Sequence, residues 1–565
     1  MGMLIAMTSL FSLLTERWLP VRRASGLRLM IAPSDLTEGL DDDPIVAFDW
    51  PRPDFDAAAR EFLIGLLSTA CWSQVIDPEL WLTWWEEPPT SAELAERLAR
   101  LAPAFMLDGP GPCFLQDWEP LADKEQKTIT SLLIDEPGDQ TLKKNADLFV
   151  KRGRGATFSR STAAMALFTL QAFAPAGGAG NRTSLRGGGP MTTLGLPTPS
   201  NDKHPVPLWN ILWLNVWGEI DWVDPATVLP RVFPWLVPTR VSSKDEITTP
   251  RDVHPAQAYW GMPRRIRLVF SANPNNTPCD LTGTIDSVRV DAYRTQNYGT
   301  HYAAWDRAHP LTPYYRTKPT GQEWLPLHPQ PGRLGYRDWV GLVVADAEDQ
   351  AMCRTPAQIV GIIKDRLEIL NAHYMRLLAC GFDMDNMKAR GFVESEMPIP
   401  IVDRDWRPSF DVHSRRMVAG AREVSGLLSV AVGKALTSGE LPDAEKGARR
   451  AAKDHFWEST EAGFYEQIAA LPEYLKTNGA DTTALRQDWF LHLRKIALLV
   501  FDALVPMDTL EALALERLVK ARRDLVSTLN GFGKNGLALY NALGLPPPES
   551  GKPKGKENKK GKASS

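Results

Sequence analysis

Cysteine is scarce in this chain and nowhere clustered. Among 565 residues there are five, Cys71, Cys113, Cys279, Cys353 and Cys380, each isolated and none in a CxxC pair. That spacing argues against a disulfide scaffold and suits a reducing compartment. Long apolar runs are missing too: no segment reaches the roughly 18 residues that a membrane helix needs. Residues 1–14 are apolar but short, with no basic leader and no small-residue cleavage site, so no secretory signal is expected. The expectation is a soluble, cytoplasmic protein with no membrane partner. Net charge is almost absent, with 64 Lys and Arg against 68 Asp and Glu, so any contact with a polyanion must be local.

Catalytic signatures are also lacking. There is no GxGxxG after a strand, no GxxxxGK[ST], no GxSxG and no HExxH. His301, Asp306 and His309 stand close together and can be written as a metal site, but no second cluster of acids or histidines completes it. His254 and His455 are isolated. The expectation is no catalytic residue, no metal and no other cofactor. A metal-dependent nuclease or hydrolase centred on His301, Asp306 and His309 is the enzymatic alternative, and a protein-only scaffold is the other.

What is present is a soluble globular composition, 44% hydrophobic and 23% charged, in a chain long enough for two domains. Residues 1–404 hold most of the 45 prolines and 19 tryptophans and read as a large, irregular α+β domain whose tryptophans fill a core. Leu13–Ile31 reads as two short strands around Ser25-Gly26, and a helix follows over 55–74. From 405 to 545 helical periodicity dominates. One stripe is Val424, Leu428, Ala431 and Ala435, and a second is Trp457, Phe464, Ile468, Leu471 and Leu475. Leu485, Trp489, Leu493, Ile496, Val500 and Leu504 form a third, and Leu518, Leu525 and Leu529 with Val519 and Val526 a fourth. Short breaks at 439–442, 478–479 and Pro506 predict an antiparallel four-helix bundle. Residues 546–565 carry six lysines and almost no apolar side chain, and are expected to be a disordered tail.

The most informative segment runs from Lys143 to Arg186. It holds Lys143, Lys144, Lys151, Arg152, Arg154, Arg160, Arg182 and Arg186 against one acid, Asp147. Phe149-Val150-Lys151-Arg152-Gly153-Arg154-Gly155 offers an aromatic ring to stack on a base and cations for phosphates. It reads equally as a solvated loop whose Phe149 plugs the core. An apolar run, Ala163–Phe173, is expected to be a helix capped by Ser159 or Ser161. It leads into Pro175–Pro190, where six glycines and two alanines leave bare backbone that can approach a groove or a phosphate closely.

At these residues the chain resembles the CasA family, the large subunits of the type I-E CRISPR surveillance complex Cascade. The matching segments, in order, are Leu13–Val21, Cys113–Asp117, Phe149-Val150, Ser184–Thr193, His309–Tyr314 and Gly381–Ala389. The resemblance implies a non-catalytic subunit that recognises a protospacer-adjacent motif (PAM) in double-stranded DNA from the minor groove. It implies that the subunit wedges the duplex open to start the R-loop and recruits a helicase-nuclease. Its partners would be the CRISPR guide RNA, the target DNA, the small subunit and the subunit at the guide 5′ end.

By position, Phe149, Val150 and Lys151, with Arg152 and Arg154, would hold the guide RNA; Lys151 replaces an expected asparagine. Ala176, Gly177, Gly178, Ala179 and Gly180 would lie in the minor groove. Asn386, with Met387 and Lys388, would form the wedge, where glutamine is expected. The family's lysine finger has no counterpart between Asp291 and Gly299, which leaves Arg294, Gln296 or Asn297 to substitute. The cysteines of the zinc site found in some members are absent, so no structural zinc is expected. Arg415, Arg416, Arg422, Arg517, Lys520 and Arg523 are the candidate DNA contacts of the bundle.

Overall fold

Pro53 fixes φ for a first helical turn that carries Asp54 and Asp56, and from there 18 residues run as α1 (Pro53–Ala70). Nearly every face of α1 is buried, as expected of a helix that is largely apolar all round. Phe62 lies at the centre of the aromatic core, edge-on to Trp18 at 5.4 Å, Phe168 at 5.5 Å, Trp260 at 5.8 Å and Phe114 at 5.9 Å. Trp18, Trp81, Trp209, Trp213, Trp235 and Trp260 are all interior, which is the core-filling role read from composition.

The computed structural model describes residues 10–137, 141, 143–145, 155–175, 177–178, 180–198, 205–217, 225–317, 323–330, 334–346, 352–370, 374–385, 388–436, 442–505 and 512–548. The chain divides into one unit of Met1–Leu334 with Gly341–Ile401 and a second of Gly335–Val340 with Val402–Ser565.

The first unit is mixed α+β with four small sheets among the described residues. β1 (Leu19–Arg23) pairs with β2 (Arg28–Ile31) and β3 (Ile45–Phe48). β4 (Gln126–Thr128) and β5 (Phe158–Ser159) both pair with β8 (Val288–Gln296), which also pairs along β7 (Arg265–Ala272). β6 (Thr192–Pro197) joins the hairpin of β12 (Tyr374–Asp385) and β13 (Lys388–Pro400). β9 (Tyr314–Arg316) lies between β10 (Leu325–Pro326) and β11 (Cys353–Thr355). Short helices α2 (Trp72–Ile76), α3 (Pro78–Glu86) and α4 (Ser91–Ala99) follow α1. Next along the chain is α5 (Arg160–Phe173), capped by Ser159, whose hydroxyl accepts from the Thr162 N–H. Helices α6 (Leu208–Leu214), α7 (Pro225–Val232) and α9 (Gln358–Ile369) follow in this unit, while α8 (Tyr336–Leu342) crosses the boundary, its residues up to Val340 belonging to the second unit.

The second unit consists of α10 (Arg407–Leu436), α11 (Pro442–Asn478), α12 (Thr483–Leu504), α13 (Ala512–Leu529) and a fifth, shorter helix, α14 (Gly533–Leu543). Most positions of the four sequence stripes are buried. Val519 is 54% exposed, because it follows Leu518 by about 100° around the helix and so leaves the 3.6-residue stripe. Residues 335–340 also belong to this core: the Tyr336 ring stacks on Phe464 at 4.6 Å and its hydroxyl lies 2.6 Å from Thr460 Oγ1.

His413 on α10 is buried, and neither ring nitrogen has a partner among the described residues. Burial, with Arg486 and Arg416 nearby, pulls its pKa down to about 3. A base depressed in the folded state stays neutral there while the unfolded chain takes up a proton below its ordinary value near 6.5. The bundle should therefore lose stability as pH falls through that value. Between about pH 6.5 and pH 5 this one group accounts for about 2 kcal/mol. His413→Met should remove that share, and thermal melts of both proteins across this range will check it; parallel pH profiles would refute the assignment.

Candidate nucleic-acid interface

Helix α5 delivers the chain to the glycine-rich run and Gly189 closes it. The Gly189 N–H donates to the Phe173 carbonyl at 2.9 Å, so residues 174–188 leave and return at one point. Within this loop Gly178 and Gly180 have φ of +82° and +76°, conformations that an L side chain resists. The two glycines are required for different reasons. A Cβ at Gly178 would meet open space, whereas one at Gly180 would come 2.9 Å from Asn297 Cβ and 3.0 Å from the Tyr298 nitrogen. The Asn181 side-chain amide donates to the Gly177 carbonyl and tightens the turn.

Opposite the loop stands the end of β8. The Tyr298 N–H donates to the Gly180 carbonyl at 2.7 Å, and the Ser242 N–H donates to the Tyr298 carbonyl at 3.0 Å. With both backbone groups engaged, Tyr298 is held at φ +64° and its side chain stays 40% exposed. Arg182 Nε donates to Ser242 Oγ at 3.0 Å, which in turn donates to the Gly299 carbonyl at 2.7 Å. The loop and the 296–299 turn are thus one surface. Of the three candidates for the finger, Asn297 lies against Gly180 and Gln296 ends β8. Arg294 is set back in the sheet, paired with Gln126 on one side and Arg267 on the other.

The far end of the loop is fastened to the core. Arg186 is buried and forms an ion pair with Glu61 of α1 at 2.5 Å, while its other nitrogens donate to Thr312 Oγ1 at 2.8 Å and Thr192 Oγ1 at 2.7 Å. Gly189 then meets the hairpin, where a Cβ would lie 2.5 Å from Met384 Cγ. The hairpin register runs to Asp385 opposite Lys388. Arg390 binds Asp383 at 2.8 Å and approaches Asp385 at 3.8 Å, bracing the stem beside an exposed Lys388.

The basic segment is therefore not a uniform cationic face. Arg160 lies inside, bound to Asp286 at 2.9 Å and Asp108 at 3.2 Å, and Arg186 is interior as described. Both are cations that the fold consumes. Lys143 and Lys144 are exposed. Phe149, Val150, Lys151, Arg152, Arg154, Ala176, Ala179, Asn386 and Met387 lie outside the described residues.

On the bundle, Arg517 donates to the Ala435 carbonyl at 3.1 Å and Arg422 to the Arg337 carbonyl at 3.4 Å, so both brace its interior. Arg416 covers Gly544, and Arg415 is half-buried. Lys520 and Arg523 remain exposed. His309 is buried with Nε2 3.6 Å from Glu61, and Thr312 holds its other nitrogen at 2.9 Å. Burial pushes its pKa well below the usual value. Among the described residues, no group of three or more His, Cys, Asp or Glu could hold a metal ion. Sequence reasoning missed Glu61, Asn181, Arg264 and Tyr298. The Arg264-Arg265 doublet after Pro263 was a visible signal for one of them.

The model of the family described as CRISPR-associated protein Cse1 matches residues 12–500. The fold is similar to that of CasA from Thermus thermophilus, at 18% identity and a TM-score of 0.65, covering 95% of this chain and 100% of that one. Cse1 from Acidimicrobium ferrooxidans gives the same identity and TM-score, with 95% and 99% covered. A chain of a CRISPR RNA-guided surveillance complex is similar at 16% identity and a TM-score of 0.62, with 92% and 100% covered. No curated protein matches the chain.

The geometry separates two substitutions. Gly178→Ala should cost about 1 kcal/mol of backbone strain without a clash. Gly180→Ala adds crowding against Asn297 and should also speed hydrogen exchange at the Tyr298 amide. Equal exchange at that amide in the two variants would show that the loop and the turn are not coupled.

Proposed function

The chain belongs to the CRISPR-associated Cse1 family, and on that footing we propose that it is the non-catalytic large subunit of a type I-E Cascade complex that reads a PAM in duplex DNA from the minor groove. The observation that carries this reading is the hydrogen bond from the Tyr298 N–H to the Gly180 carbonyl. It makes a single surface of the glycine loop and the turn that the resemblance assigns separately to the groove. The minor groove is narrow, about 6 Å wide, and offers a degenerate donor and acceptor pattern. A loop of bare backbone suits both properties: it fits where side chains would not, and it discriminates permissively.

The hairpin of β12 and β13 supports the opening step. Its stem is braced by Arg390 and packed on Gly189, and in this reading the segment that joins the two strands, Asn386 and Met387 with Lys388, is the wedge. Unstacking costs a few kcal/mol per step, which contacts to the separated strands must offset. Guide pairing then supplies sequence specificity, with the protein reading only the short flanking motif. In this reading Phe149–Arg154 contacts the guide RNA near its 5′ end. The exposed cations Lys520 and Arg523 contact DNA, the subunit works in the cytoplasm beside the small subunit and the subunit at the guide 5′ end, and the complex recruits a helicase-nuclease.

The test is co-expression with partner subunits and a guide RNA, followed by binding to duplexes that differ only in the flanking motif. Gly178→Leu should lose PAM-dependent binding by at least about tenfold, in the range of one lost base-pair readout. Lys151→Ala should weaken assembly and lower its salt dependence. Equal affinity of the wild-type complex for every flanking sequence would overturn the reading.

A further inference from the structure

Arg264 immediately precedes β7 and lies against the glycine loop. Its backbone is clamped to the last turn of α5: its N–H donates to Gln171 Oε1 at 2.9 Å, and Gln171 Nε2 donates to its carbonyl at 2.9 Å. The guanidinium reaches the Pro175 carbonyl, and a Cβ at Gly177 would lie 3.5 Å from its Nη1. Of its five N–H groups, only one, on Nη2, has a partner among the described residues, and Nε is buried without one.

Arg264 is half-buried, and the fully buried arginines of this unit are all compensated. Arg160 has Asp286 and Asp108, Arg186 has Glu61, and Arg265 has Asp117 at 2.5 Å. Arg366 lacks a carboxylate but lies over the Trp81 ring at 4.4 Å and donates to the Leu214 carbonyl at 2.6 Å, deep in the core. Arg264 has neither a carboxylate within ion-pair distance nor an aromatic face among the described residues. The sequence explains the missing acid. No Asp or Glu occurs between Asp147 and Asp202, nor between Asp252 and Asp280, and the fold brings these two acid-free stretches together at Pro175 and Arg264. Burial without a counter-charge pulls the pKa of Arg264 down to about 10, so the side chain stays cationic at neutral pH.

We propose that Arg264 is an anion-binding residue whose missing counter-charge is a backbone phosphate of the duplex seated on the glycine loop. This rests on the minor-groove reading given above and adds a sequence-independent contact to it. A planar guanidinium with open N–H groups matches phosphate oxygens in geometry as well as charge. Its clamp on α5 fixes the position of that phosphate relative to the loop. Phosphate contacts set register and leave base reading to other groups, so Arg264 and the loop have separable roles.

The experiment uses the assembled complex with its guide RNA and measures affinity for duplexes with and without the PAM over a salt series. Arg264→Gln should weaken binding to both duplexes by about tenfold and reduce the salt slope by about one, leaving their affinity ratio unchanged. Arg264→Lys should restore most of the slope. Unchanged affinity and slope in Arg264→Gln, or a lost ratio with an unchanged slope, would overturn the proposal in favour of a brace for the Pro175 carbonyl.

Because a variant can fail to assemble, a second measurement uses the wild-type complex alone. Duplexes carrying one neutral methylphosphonate at each position along the PAM should reveal a site where neutralisation costs about tenfold. If no position does, the proposal fails. Failure of the minor-groove reading is distinguishable, since it shows as equal wild-type affinity for all flanking sequences.

Discussion

The first unit depends on the pair formed by Arg186 and Glu61. Glu61 is a fully buried charge in the middle of a largely apolar helix, and without a partner it could not be held there. Arg186 supplies that partner and reaches Thr192 and Thr312 as well, so α1, the start of β6 and the 309–312 loop meet at one guanidinium. Removing one member of such a buried pair typically costs about 3–5 kcal/mol, because the other charge is left unpaired. The pair contributes less to net stability than to position. It fixes where the glycine-rich run re-enters the core, and so where residues 177–182 can lie.

From that anchor the surface is built mainly with backbone. The Phe173 carbonyl, the Gly180 carbonyl, the Tyr298 N–H and carbonyl and the Ser242 N–H are all engaged in hydrogen bonds between segments far apart in sequence. Side chains take part where they tighten turns, as Asn181 and Ser242 do. Gly178, Gly180 and Tyr298 all take positive φ, a conformation the glycines adopt freely and Tyr298 only under strain. Strained backbone of this kind persists only where its surroundings over-determine it.

This construction explains what could be read from the sequence. The strands on either side of Ser25-Gly26, a serine cap on α5 and the helical stripes of the bundle follow from period, propensity and turn chemistry; of the two serines open to the cap Ser159 takes it, and the helix expected over 55–74 ends at Ala70 before the short α2. The glycine loop was legible as bare backbone. The destination of each cation was not. Arg160 and Arg186 look the same in sequence as Lys143 and Lys144, and only the approach of Asp108, Asp286 and Glu61 from elsewhere in the chain turns them inward. The union of Gly180 with Tyr298 was equally hidden, because a backbone hydrogen bond leaves no side-chain signature. The counting of charge therefore overstated the basic face.

For the function proposed above, a surface made of fixed backbone has a physical consequence. Hydrogen-bonded loop backbone cannot re-form around each new sequence, so as a reader it would select a shape and a narrow set of groove edges. Such a surface suits a short motif that must be found quickly, in many places, by a complex whose longer sequence test comes from base pairing. Flexible side chains would reach more functional groups but would lose rotamer entropy on every encounter. Bare glycine backbone already fixed by Tyr298 and Asn181 loses little. Under the proposed function, the stiffness set by Arg186 and Glu61 in the core is what would let a few glycines act as a reader.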